Sequence, residues 1–370
     1  MIENIQNYNV LYNTLFDLDG GGIDQQSKRF LENIDPSVSY PVSDAATGAS
    51  ASVMNSLLAT ASDASKPLMI NNWLGFLSSA STPVIDTNDC SDIILEIRLA
   101  PASVLWAGGA AATIAGPNYS LSNIRFTISE IVCNSPDYYN FKAAKLLGDG
   151  LVIGYQTFVT NEGSQVAKAY SLSYTVNINA TSLDQVIATM LDADYLTVTH
   201  LQLGGAGVDS TSSQSFNAAY VTPVDDAVGV ATSGDLFNNY VYFKRDGLGL
   251  TGSSFEINNV MMNPYPLPAE EVYNETLIAL GNLNIDMASG INPGCVSLAH
   301  YLKYYFTHIL SLENIASGDF YKSGLDGRAA SMSINWKTSF STTPNCTPII
   351  YCKTTLLLQI NEAHQISVIV

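Results

Sequence analysis

The chain has 370 residues, 47% of them hydrophobic but only 13% charged, and its 33 acidic against 15 basic side chains leave a net charge of −18. That balance excludes a protein that wraps nucleic acid directly, which needs a basic stripe to displace counterions, and it argues against an anionic membrane surface as the main partner. Plentiful apolar and aromatic residues exclude a disordered chain, no apolar run reaches the length of a bilayer span, and the N-terminal MIENIQNYNVLYNTLF is neither basic nor continuously apolar, unlike a secretory leader.

In chain order, residues 1 to about 80 read as helical or irregular. Ile5, Tyr8, Tyr12 and Leu15 fall at helical spacing, short helices are expected over 27–34 and 53–58, and SDAATGASAS lies between them as a small-residue stretch. From about residue 84 the period becomes two. Ile93, Leu95, Ile97 and Leu99 alternate with Ile94, Glu96, Arg98 and Ala100, and Ile124, Phe126 and Ile128 alternate with polar neighbours. Such alternation marks an antiparallel strand with one packed face. Ser135, Pro136 and Gly148 then bracket a helix as N-cap, first residue and stop. Strands follow over 151–159 and 170–178, and residues 203–235 form a Gly/Ser/Asp-rich loop or connection. Beyond it come a strand around Phe255 and Ile257, the rigid PYPLP turn at 264–268, and a helix opened by Glu270 and Glu271 and ended by Gly281. A second helix carries Leu298, Tyr301, Leu302, Tyr305, Ile309 and Leu312 on one stripe, and strands at 332–340, 349–360 and 366–370 complete the chain.

The low charge has a consequence for the surface. Ser, Thr, Asn, Gln and Tyr cover this chain where Lys and Glu cover most soluble monomers, and such a surface is packed against another subunit with little desolvation cost. Twenty tyrosines suit interfaces that are dry on one side and wet on the other. The five cysteines, Cys90, Cys133, Cys295, Cys346 and Cys352, are odd in number and form no CxxC, so they read as free thiols. The four N-x-S/T sequons at Asn118, Asn179, Asn274 and Asn345 are expected by chance in so Asn-, Ser- and Thr-rich a chain.

Each catalytic motif needs a particular local structure around it. Leu15-Phe16-Asp17-Leu18-Asp19-Gly20 resembles the first motif of haloacid-dehalogenase-like phosphatases, with Asp17 as nucleophile and Asp19 as acid and base. It has Gly21 where that family has Thr, no buried strand before it, and only Gly148-Asp149-Gly150 as a poor match to the metal-holding motif. Gly247-Leu248-Gly249-Leu250-Thr251-Gly252 matches GxGxxG, but a strand follows where pyrophosphate binding needs a helix N-terminus. His300 and His308 lie about two turns apart on the expected helix, too far for a metal pair. With His200, His364 and the Asp225-Asp226 pair also outside any catalytic constellation, no catalytic residue, cofactor site or metal site is expected, and the chain does not read as an enzyme.

The strand segments carry a resemblance. Asp92–Pro101 with the strand from Tyr119 to Val132, Ser253–Pro268 leading into the Glu270 helix, and Ser323–Arg328 with the closing strands are similar to the double jelly-roll major capsid proteins of tailless icosahedral DNA viruses, over roughly residues 84–370. The resemblance implies a mainly β chain of two tandem antiparallel jelly-roll sandwiches with short inserted helices and a helical or irregular N-terminal arm. The divisions are 1–80 for the arm, 81–215 for the first jelly roll and 216–370 for the second, with 203–235 as a tower insertion if it belongs to the first barrel. It also implies a homotrimeric pseudo-hexagonal capsomer in the virion. Its contacts would be with neighbouring capsomers, with minor capsid or penton proteins, and through the arm with an internal membrane or, preferably, a neighbouring subunit, and none with nucleic acid. Two other functions compete with it: a secreted β-sandwich binding or surface-layer protein, and the phosphatase.

Overall fold

A computed structural model describes residues 2–18, most of 70–88, 93–99, 120–148, 150–192, 245–280, parts of 298–327, 331–341 and 345–369. The elements in chain order are α1 (Tyr8–Leu18), α2 (Phe76–Ser79), α3 (Pro136–Leu147), β1 (Leu151–Glu162), β2 (Val166–Ala167), β3 (Leu172–Ile178), β4 (Ser182–Asp192), β5 (Leu250–Ile257), β6 (Val260–Met261), α4 (Ala269–Ala279), β7 (Thr307–Ser311), β8 (Met332–Phe340), β9 (Asn345–Ile360) and β10 (Ile366–Ile369). The short helices expected over 27–34 and 53–58 and the loop or connection expected over 203–235 lie outside the described residues.

The strands form two sheets, ordered β1-β9-β4-β7 and β3-β8-β5-β6, with the short β2 and β10 added along β9. Every ladder is antiparallel. Leaving out β2 and β10, and counting the remaining eight strands along the chain, the sheets read 1-8-3-6 and 2-7-4-5. That is the strand order of one complete jelly roll. The chain is thus mainly β and antiparallel, with short inserted helices. The expected division at 215/216 does not separate its sheets: β1 pairs with β9 over twelve residue positions, from Leu151↔Ile360 to Glu162↔Ile349, and β3 pairs with β8. Periodicity marks strands but is silent about which strand pairs with which, and the long-range ladders cross the boundary.

Between the sheets sits an aromatic core. β8 alternates as expected, turning Met332, Ile334, Trp336, Thr338 and Phe340 inward. The Trp336 indole lies near-parallel to Phe255 (6.4 Å) and Phe306 (6.3 Å), and Phe340 meets Phe306 edge-on. Val176, Val186, Ala188, Met190, Ile350 and Cys352 fill in around them.

A second layer covers the outer face of the β1-β9-β4-β7 sheet. Helix α1 lays Val10 and Leu11 on Phe158, Ile187, Leu191, Ile309, Ile349 and Tyr351. Phe76 of α2 meets Tyr155 edge-on at 5.1 Å and packs with Ile153 and Leu358. The segment before α2 is held by Glu3, whose carboxylate accepts the Phe76 N–H and the Thr157 hydroxyl. Burial raises the Glu3 carboxyl pKa, and these two donors oppose the rise. The segment after it blunts the β1 edge: Gln156 N–H donates to Ser79 Oγ (2.8 Å), Ser79 Oγ donates to the Gln156 carbonyl (2.9 Å), and Ser81 N–H donates to the Gly154 carbonyl.

This layer corrects the reading of the N-terminal stripe. Ile5 and Leu15 pack on the chain's own sheet rather than under a neighbour, and the face wholly buried is Val10, Leu11, Thr14 and Leu18. Tyr8 and Tyr12 stack on each other at its flank (6.1 Å), where Tyr8 Oη accepts the Leu74 N–H. The single helix expected over 298–312 is also corrected. Tyr301 and Leu302 are helical, but Thr307–Ser311 is a strand on β4, because the ladder Thr189↔Thr307 to Gln185↔Ser311 outweighs the helical spacing of Tyr305 and Ile309.

Candidate functional site

Two places in the molecule hold candidates: the polar residues buried where α4 meets the barrel, and the apolar surface of residues 93–147. Helix α4 lies along the edge strand β7 and satisfies its backbone. Thr276 Oγ1 donates to the Thr307 carbonyl (2.7 Å) and accepts the Ile309 N–H (3.2 Å). Its neighbour in the chain, Glu275, reaches His308. Glu275 Oε2 lies 2.8 Å from His308 Nε2, His308 Nδ1 lies 2.7 Å from Ser253 Oγ, and Trp336 Nε1–H donates to the same Oγ at 2.9 Å. A neutral His308 that donates from Nε2 to Glu275 and accepts at Nδ1 from Ser253 satisfies every group.

Ser, His and Glu in sequence of contact look like a hydrolytic triad, but the surroundings do not allow that chemistry. A nucleophile needs an open place beside its oxygen for the reacting carbonyl and donors for the oxyanion. Ser253 and His308 have no exposed surface, and the Trp336 indole and the imidazole occupy the space around Oγ. The Ser253 backbone is engaged in both directions with Leu267. What the arrangement does is tie four elements, β5, β7, β8 and α4, at one point of the core. Sequence reasoning missed it because Ser253, Glu275 and His308 carry no spacing signature; only the pairing of β5 with β8 and of β7 with β4 brings them together.

Other buried charge is also internal. Lys168 Nζ sits 2.8 Å from Asp246 Oδ1 with both side chains almost wholly buried, and the ammonium lies over the Phe340 ring. Asp184 accepts hydroxyl bonds from Ser182 (2.8 Å) and Thr355 (2.6 Å) at the irregularity between Leu183 and Gln185. Its carboxyl is held above the usual aspartate range by burial, with the two hydroxyls opposing and Glu313 adding to the rise.

The sequence motifs fall as follows. Asp17 lies within helix α1 rather than at the end of a buried parallel strand, and Asp19, His200, His300 and the Asp225-Asp226 pair lie outside the described residues. The GxGxxG glycines form a turn, Gly249 at φ 75°, that runs straight into β5 with no helix behind it. His364 is exposed in the turn between β9 and β10. Among the described residues no three His, Cys, Asp or Glu side chains cluster to hold a metal, and Cys133, Cys346 and Cys352 are free thiols. Burial alone pushes the Cys352 thiol up to about 12, which makes it inert at neutral pH.

The apolar surface is the opposite of the barrel. Residues 93–99 and 120–132, expected as strands from their alternation, form no strand and join no ladder among the described residues. Their side chains face solvent: Ile94 is 85% exposed, Ile124 76%, Ile128 71%, and Ile97 and Phe126 just over half. Helix α3 continues the surface with Tyr138, Tyr139, Phe141 and Leu147, all exposed. It is anchored from its polar side, where Lys142 (2.6 Å) and the Tyr138 hydroxyl (3.0 Å) both reach Asp86. Partial burial works against the charge on Asp86, but Lys142, the Asn88 N–H and Tyr138 outweigh it and set the carboxyl below its usual range. Trp73 meets Phe126 edge-on at 6.3 Å.

No protein-family profile matches the sequence, and no curated protein matches it. Among solved structures, the chain is similar to the mavirus major capsid protein at 8% identity and a TM-score of 0.30, over 59% of this chain and 41% of that one. It is similar to a chain of the Sputnik virophage structure at 9% identity and a TM-score of 0.30, over 60% and 39%. It is similar to the Faustovirus major capsid protein at 10% identity and a TM-score of 0.33, over 61% and 36%. The chain therefore spans less than half the length of each of these proteins. The jelly roll rests on the strand order itself.

Proposed function

We propose that this protein is a major capsid protein, a non-enzymatic building block of an icosahedral viral shell that sits in the virion and works by association with its own copies. The observation that carries the reading is the contrast within one chain. A complete jelly roll keeps its aromatic core and buried polar groups for itself, while residues 93–147 present a large apolar surface to solvent. The exposed side chains of 93–99 and 121–132 alone amount to on the order of 1,000 Å², well above the few hundred Å² of a typical monomer's largest patch. A surface of that size marks an assembly contact. The sequence resemblance supplies the form of the assembly, homotrimeric capsomers that then meet neighbouring capsomers, and the acidic balance fits a shell that does not touch the genome.

Size-exclusion chromatography with light scattering, followed by electron microscopy of the purified full chain, tests this. Trimers at micromolar concentration that pack into ordered sheets or shells on concentration are the expected result. A well-behaved monomer, or saturable turnover of a substrate by the monomer, overturns it.

A further inference from the structure

We infer that residues 93–99 form a two-fold contact between copies of this chain, pairing antiparallel with the same segment of a second copy about Ile97. The inference goes beyond the shell reading by naming the segment, the symmetry and the register of one contact.

The segment needs a partner. Ile93, Leu95, Ile97 and Leu99 share one face and Ile94, Glu96 and Arg98 the other, all of them are exposed, and no ladder among the described residues includes them. An apolar segment with the rhythm of a strand that joins no ladder is a template for pairing with another chain. The barrel does not supply the missing strand, since its eight strands already close the two sheets in jelly-roll order. Nor does 121–132 supply it, since that segment joins no ladder among the described residues either.

The sequence of the segment selects itself as the occupant. Antiparallel pairing centred on Ile97 sets Glu96 opposite Arg98 of the second copy, and Arg98 opposite its Glu96. The same register sets Leu95 opposite Leu99 twice. One face of the paired strands is then wholly apolar, and the other carries two cross-strand ion pairs. Directly opposite residues have Cβ atoms about 5 Å apart, where opposite charges help and like charges hurt. A contact in which residue i meets j and j meets i is the self-complementary patch that a two-fold axis requires.

Cysteine cross-linking of the full chain tests the register, with the unaltered chain and its five native cysteines as the background. Ile97→Cys places two thiols opposite each other at the axis. Leu95→Cys places them about 13 Å apart along the strands, too far to join, unless Leu99→Cys is added. The expected result is roughly tenfold more disulfide-linked dimer from Ile97→Cys than from Leu95→Cys, and recovery in the Leu95→Cys/Leu99→Cys double variant. Charge exchange is the second measurement. Glu96→Arg and Arg98→Glu each put like charges opposite each other and weaken dimerisation by roughly tenfold, and the double exchange restores it. These positions are exposed, so circular dichroism is expected to stay unchanged. Equal cross-linking at 95 and 97, or a double exchange that fails to restore association, overturns the register. Larger assemblies that form with no Ile97→Cys cross-link overturn this contact while leaving the shell reading in place. A cross-linked dimer that never assembles further keeps the contact and overturns the shell reading. A 93–99 strand covered by its own chain gives no dimer and no response to either charge reversal, which also overturns it.

Discussion

Segments 93–99 and 332–340 have the same rhythm in the sequence and opposite places in the structure. Ile93, Leu95, Ile97 and Leu99 are all at least two-fifths exposed, whereas Met332, Ile334, Trp336 and Phe340 are all 1% exposed or less. Alternation tells only that one face of a strand asks to be covered. In β8 the cover comes from within the chain, because β3 and β5 flank it and Phe255 and Phe306 close over Trp336. In 93–99 it does not come from the described residues. The two regions therefore divide the work: one makes a self-sufficient body, and the other makes that body part of something larger.

The comparison is broken most severely at Trp336. Replacing it with Ala opens a cavity between the sheets and leaves Ser253 Oγ without its indole donor, at a cost of about 3–5 kcal/mol. Thermal melting of the dispersed chain measures this, and a loss under about 1 kcal/mol would show that the core lies elsewhere. Thr276→Val tests whether α4 belongs to the body. It leaves the buried Ile309 N–H without its side-chain acceptor and takes one of two donors from the Thr307 carbonyl, which keeps the Tyr301 hydroxyl, for about 1–3 kcal/mol by urea midpoint.

A smaller effect is expected at Asp184, and its sign is set by pH. Its carboxyl is raised above the ordinary value of 3.8, with burial as the main cause. A raised carboxyl contributes stability that is fully present below the unfolded pKa and is lost as pH rises through the folded one. Asp184→Asn cannot ionise, so its melting temperature relative to the parent chain improves from pH 4 to pH 7. A difference that stays constant across that window removes the buried-charge account. The smallest effect is expected outside the barrel. Ile124→Ser with Ile128→Ser changes the stability of the dispersed chain by no more than about 0.5 kcal/mol, since both side chains are already in water. A large loss would mean that they are buried in the chain's own fold.

The strands legible in the sequence were those with one wet face. β3 shows Leu172, Tyr174, Val176 and Ile178 alternating with polar residues, and β8 and β1 read as strands for similar reasons. α3 and α4 were legible from Pro136 and from Glu270 and Glu271. β4 was not, because both of its faces are covered: Val186, Ala188 and Met190 face the core while Ile187 and Leu191 lie under α1, so no period of two survives. β7 was misread as helix for the same reason, its faces divided between the core and the layer of α1 and α4. The Ser253–His308–Glu275 tie was beyond reach, since it depends on two long-range ladders, β5 with β8 and β7 with β4, that no local pattern announces. The exposed surface was legible in part, through the low charge and the alternating segments, but not as the part of the chain left uncovered.

Hydrogen exchange of the full chain, measured dispersed and then concentrated, addresses the division of labour most directly. Amides of β1, β4, β8 and β9 are expected to be protected in both conditions, and those of 93–99 and 121–132 to exchange freely when dispersed and to gain protection only on concentration. Protection of 93–99 and 121–132 that is equally strong in the dilute monomer would contradict the account, because their partner would then be the chain itself.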